Sequence, residues 1–178
     1  MIRRVVRLAL VALVLTLSFG DAARAEVTLA EGQASLKKLY KSQPGSKTVA
    51  KKAYAVLVFP NIVKAGFMVG GAIGNGVLIR NGKDVGHYNS AAASYGWQAG
   101  AQSFGYALFF MNKKALKSLD ETKGLELGIG PSFVIVDQGM GKSMTSQTLT
   151  QDIYAFIFDQ GGLMAGAGIQ GSKITKLK

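Results

Sequence analysis

The sequence predicts an α+β fold: a strongly curved antiparallel β-sheet or small barrel, rich in glycine, with two N-terminal helices and one helix inserted after a central strand. Three observations predict it. Apolar residues recur at helical spacing up to about Tyr54 and at alternate positions after it. The chain holds 23 glycines, most of them inside apolar stretches, where they mark bends, bulges and close backbone approach. It holds no cysteine, so packing alone must hold the fold.

The first 25 residues read as a cleavable secretory signal. Arg3, Arg4 and Arg7 are followed by an apolar run over residues 8–19, and Ala23-Arg24-Ala25 offers small side chains at the cleavage positions. That run falls well short of the roughly 20 residues that cross a bilayer as a helix. Without a cysteine it cannot be a lipoprotein anchor either. Cleavage leaves a single domain, residues 26–178, and lowers the formal charge from +11 to +8 by removing four arginines and Asp21. Such a charge attracts anionic partners at long range. For an exported protein, expected to be periplasmic and peripheral to a membrane, these are acidic lipids or glycans rather than nucleic acid.

Leu29, Leu36 and Tyr40 share a helical face, and Gln43-Pro44-Gly45 ends it. A second helix is expected to start with Ser46 as its N-cap, turning Val49, Ala50, Ala53 and Tyr54 to one side and Lys47, Lys51 and Lys52 to the other. Val56 and Val58, Phe67 and Val69, and Val77 and Ile79 then mark short strands bounded by turns. Arg80-Asn81-Gly82-Lys83 is a type I′ hairpin turn, since Asn-Gly accepts the positive φ that this turn requires. Asp159-Gln160-Gly161-Gly162 is a second candidate. Asn112 is the expected N-cap of a helix over residues 113–119, with Leu116 and Leu119 inward and Lys113, Lys114 and Lys117 outward.

Motifs for chemistry fail on context. Gly166-Ala167-Gly168-Ile169-Gln170-Gly171 has the letters of a dinucleotide fingerprint, but seven residues follow it, too few for the helix, strand and acidic residue such a site needs. Gly141-Lys142-Ser143 ends like a phosphate-binding loop, yet Val136 stands where the first glycine is required. His87 is the one histidine, and strict strand alternation sends it to the opposite face from Asp84, Ser90 and Ser94. Glu126 and Asp137 are carboxylates that a hairpin could bring together, without a sequence feature that does so. The reading is therefore non-enzymatic, with no cofactor and no metal.

Lys37, Lys38, Lys41, Lys47, Lys51, Lys52 and Lys64 fall in a stretch of 28 residues that has no acidic side chain. On amphipathic helices such lysines approach an acidic membrane surface, each contributing about 1 kcal/mol. The plainer alternative is that they keep a sheet-covering helix soluble.

Ala55-Val56-Leu57-Val58-Phe59-Pro60, Lys64-Ala65-Gly66-Phe67-Met68-Val69-Gly70-Gly71, Tyr95-Gly96-Trp97-Gln98, Leu108-Phe109-Phe110-Met111-Asn112, Gly130-Pro131 and Gly161-Gly162-Leu163-Met164-Ala165-Gly166 together resemble the SYLF, or Ysc84-type, lipid-binding domain family. The resemblance runs in order from about Leu36 to Lys176. It implies one domain that binds acidic phospholipids, in some members through a basic N-terminal helix, and no enzymatic activity. The actin role of eukaryotic members does not transfer to an exported chain. The competing readings are an envelope protein that binds acidic glycan or a protein partner, a small outer-membrane β-barrel, and a hydrolase built on His87.

Overall fold

Thr28 opens the first helix with a reciprocal cap. Its hydroxyl accepts from the Glu31 N–H at 3.3 Å, and its own N–H donates to Glu31 Oε2 at 2.8 Å. Those bonds hold the Glu31 carboxyl below the usual carboxylate range, the Thr28 N–H contributing most. The helix, α1 (Leu29–Ser42), buries Gly32, Ser35, Leu36 and Leu39. Helix α2 (Gly45–Ala50) starts two residues earlier than expected, with Pro44 rather than Ser46 at its N-cap. Pro44, with φ −57°, is already preset for a helix, so it opens the turn, and Ser46 lies inside with its hydroxyl donating to the Gln43 carbonyl at 2.6 Å.

The computed structural model describes residues 26–121, 124–136, 149–162, 169 and 171–178, the side chains of 67–69 and 94–99 excepted. The expected signal segment, Asp137, the 141–143 stretch, the Ser94, Tyr95 and Trp97 side chains and most of the 166–171 glycine run lie outside the described residues.

The stretch expected to hold three short strands is one strand, β1 (Ala55–Arg80), paired antiparallel with β2 (Lys83–Phe110). The Asn81-Gly82 turn joins them, with φ of 53° and 73°. Where the pattern suggests turns, the ladder instead shifts register between Phe59 and Ile62, Phe67 and Val69, and Leu78 and Ile79. Bulges bend a strand and raise its twist without ending it, and here they curl the hairpin back over itself. At Gly76 a Cβ would sit 2.6 Å from the Val58 carbonyl oxygen and as close to the Phe59 ring, so only glycine lets the second length of β1 cross the first.

β2 is the centre of the sheet. Along one edge it carries β1; along the other, residues 88–91 pair with β6 (Lys173–Lys176) and residues 102–110 with β5 (Ile153–Gly162). β3 (Leu125–Glu126) adds outside β6, and β4 (Phe133–Val136) adds outside β5. The sheet is strongly curved and glycine-rich as expected, and antiparallel except for the β4–β5 pair, which is parallel. The expected turn at 159–162 is the end of β5. Asp159 adopts φ 51° as one extra residue between the Gly105–Phe158 and Ser103–Gly161 pairs, a bulge in place of a reversal. Helix α3 (Lys113–Lys117) begins as expected, with Asn112 Oδ1 accepting from the Ala115 N–H at 2.8 Å, and a 3-10 turn, Ser118–Asp120, completes it.

Two cores follow from the two faces of this sheet. The concave face packs Leu57, Phe59, Ile62, Phe104, Tyr106 and Leu108 inside the curl, Phe59 stacking on Tyr106 at 4.6 Å between ring centres. The convex face packs Val58, Val77, Phe109 and Phe156 beneath Leu36 and Leu39 of α1, with Phe109 edge-on to Phe156.

Candidate functional site

Because α1 buries its Gly32, Leu36 and Leu39 side against the convex face, its lysines are forced outward. Lys37, Lys38 and Lys41 are exposed on α1, and Lys47, Lys51 and Lys52 are exposed on α2 and the turn after it. Lys37 and Lys41 are four residues apart, as are Lys47 and Lys51, so each pair shares one helical side. Lys38 is tied down: its Nζ lies 2.7 Å from Asp159 Oδ2, fastening α1 to β5. Gln43 adds a second fastening through its Nε2, which donates to the Ile157 carbonyl at 2.6 Å. Among the described residues no ion pair engages Lys37, Lys41, Lys47, Lys51 or Lys52.

Lys64 does not belong with these six. It is 8% exposed and stands on the concave face, opposite Gln102. Strict alternation from Leu57 and Phe59 would turn it outward; the extra residue at Pro60-Asn61 reverses the faces beyond it, so Ile62 and Lys64 go in and Val63 comes out. Its expected role at the lipid-facing surface is corrected accordingly.

The same reversal builds a feature whose residues sequence reasoning did not single out. Val63 is 40% exposed and Ile73 48%, and both line an apolar cleft of about 630 Å³ between the start of α1 and the two crossing lengths of β1. Pro60, Ala65 and Ala72 extend the apolar wall, while Glu26, Glu31, Asn61 and Asn75 bring polar groups. β1 pairs with β2 along one edge, and the cleft opens beside its other edge. The signal for it was the bulge-forming Phe59-Pro60-Asn61, where a proline interrupts an apolar strand.

At His87 another bulge overturns the expected geometry. Val85 is the extra residue between the Leu78–Gly86 and Ile79–Asp84 pairs, and it brings Asp84 Oδ2 to 3.0 Å from His87 Nε2. Ser90 takes no part: its hydroxyl accepts from Tyr106 on the concave face at 2.6 Å. Among the described residues, no three His, Asp or Glu side chains come together in a group that could hold a metal ion, and no helix is long and apolar enough to cross a membrane.

The model of the family described as Ysc84, Las17-binding protein actin regulator, matches residues 91–178. No curated protein matches the chain. The matched stretch holds the C-terminal length of β2, which carries the curl, together with α3 and β3 to β6. Residues 91–178 therefore match the Ysc84-type family, the SYLF family that the motifs resemble.

Proposed function

We propose that this chain is a non-enzymatic phospholipid-binding protein of the cell envelope that docks peripherally on acidic lipid. The single observation that carries the reading is the outward lysine set: Lys37, Lys41, Lys47, Lys51 and Lys52, exposed and without an ion-pair partner among the described residues. A solvated surface normally interleaves both signs of charge. A one-sign patch costs self-repulsion that an acidic surface offsets. The exposed Val63 and Ile73 beside the start of α1 supply apolar contact of the kind that complements such docking. Peripheral docking is favoured over a lipid-embedded barrel because α1 covers much of the convex face, which in a membrane barrel would meet lipid. The family is described by actin regulation through Las17 binding; for a chain expected to leave the cytoplasm, lipid is the partner of that family retained here.

Co-sedimentation with vesicles of pure phosphatidylcholine and of phosphatidylcholine with phosphatidylglycerol tests this. Binding is expected to the acidic vesicles alone and to fall steeply as salt is raised. Equal binding to both, or binding indifferent to salt, would sink the reading.

A further inference from the structure

The concave face of the β1–β2 ladder is built in rungs: Leu57 opposite Leu108, Phe59 opposite Tyr106, Ile62 opposite Phe104, then Lys64 opposite Gln102. The first three are apolar or, at Tyr106, internally satisfied by Ser90. The fourth is not. Lys64 is 8% exposed and Gln102 4%, and Gln102 Oε1 is buried with no hydrogen-bond partner. The ion pairs among the described residues join Lys38 to Asp159, Asp84 to His87 and Asp120 to Lys176, none of them reaching Lys64. A largely covered lysine with no carboxylate partner among the described residues, facing a buried amide oxygen without a partner, is a costly pairing unless a ligand completes it.

We propose that Lys64 and Gln102 form an anion site that takes a phosphate group. Lys64 supplies a point charge with three donors, and the Gln102 amide, rotated about its last bond, adds two N–H donors across the rung. Phosphate oxygens accept from both strands at once, a match that chloride, with no directional acceptors, does not offer. The source is either a phospholipid headgroup or free phosphate. The site is separate from the exposed lysines, which lie on helices over the convex face, so either can fail without the other.

Calorimetric titration and thermal unfolding of the purified chain test it with two probes at matched ionic strength against chloride: inorganic phosphate, and dihexanoyl phosphatidylglycerol kept below its micelle concentration. Saturable binding of either probe is expected, with a rise in the unfolding midpoint. Binding of the lipid alone assigns the headgroup, and binding of both assigns phosphate as the recognised group. Lys64→Met should weaken binding tenfold or more, whereas Lys113→Gln with Lys117→Gln, on α3, leaves it unchanged. Gln102→Glu keeps the side chain's shape and gives Lys64 an internal carboxylate, so it should abolish binding while raising the midpoint in probe-free buffer. That variant carries the test if Lys64→Met does not fold. Neither probe binding better than chloride, or binding undiminished in Gln102→Glu, overturns the site.

Discussion

Tyr106 donates a 2.6 Å hydrogen bond to Ser90 although both residues belong to β2, sixteen positions apart. At about 3.3 Å per residue an extended strand would hold them about 50 Å from each other. The bond therefore measures the curl: β2 bends far enough to meet itself. Tyr106→Phe should cost about 1–2 kcal/mol in urea denaturation, because it leaves the buried Ser90 hydroxyl unpaired. Ser90→Ala in the same chain should recover part of that loss, which a double-mutant cycle reads directly.

Tyr88 and Tyr106 also set the alkaline limit. Burial, with a smaller contribution from Asp120, pushes the Tyr88 phenol up to about 12, and burial raises Tyr106 as well. A folded value above the unfolded value near 10 means that the neutral phenols contribute fully below pH 10. That contribution drains away as pH rises from 10 through 12. Urea midpoints should thus fall across this window, and Tyr88→Phe should flatten the fall.

On the acid side the sign reverses. Asp152 joins α3 to the β4–β5 pair: Asn112 Nδ2 donates to its Oδ1 at 2.7 Å, and the Ser132 N–H and hydroxyl both donate to its Oδ2 at 3.0 Å. These bonds, Asn112 first, hold its carboxyl below the usual value of 3.8. Its contribution is complete above that value and is lost as pH falls through the lowered one. Asp152→Ala should cost about 0.5–1 kcal/mol at neutral pH, a small figure because water competes for the site, and should weaken the acid limb of the stability curve.

Gly76→Ala should destabilise by about 2 kcal/mol or more, since the new methyl meets the Val58 carbonyl and the Phe59 ring, neither able to yield without disturbing the crossing of β1. Gly71→Ala is the matched control. Its Cβ would have a single neighbour, the Ala92 carbonyl at 3.4 Å, and its midpoint should stay near that of the parent chain.

Lys37→Gln with Lys41→Gln removes two charges from α1 that no ion pair engages among the described residues. At about 1 kcal/mol for each lysine near an acidic surface, vesicle affinity should drop about 30-fold. Lys113→Gln with Lys117→Gln, an equal loss of charge on α3, should change affinity far less. Equal losses from both pairs would assign the attraction to net charge rather than to the α1–α2 surface.

Periodicity alone predicted the helix-then-sheet order, the Asn81-Gly82 turn and the Asn112 cap, because each rests on residues adjacent in sequence. The charge run misplaced Lys64, and strand alternation the Asp84–His87 pair, for one shared reason. Lys64 lies just beyond a bulge and the Asp84–His87 pair straddles one, and each bulge exchanges inside for outside along the strand that follows. Pro60 and Gly86 marked those places, yet neither states how many extra residues the strand carries. Lys37, Lys38 and Lys41 were legible because a helix built on Leu36 and Leu39 has a single way to turn them. The cleft was not, since Val63 and Ile73 meet across a crossing that only the folded β1 creates.

The long hairpin also bears on how the chain reaches this state. Its rungs begin with Arg80 against Lys83 at the turn and end with Ala55 against Phe110. Each rung brings together residues already held close by the one before, so closure can proceed like a zip and the entropy of a large loop is never met in one step. The β4–β5 and β2–β6 pairs have no such guide and must find their partners across longer stretches of chain. Assembly is therefore expected to run outward from Asn81-Gly82, with the C-terminal strand completing the sheet last.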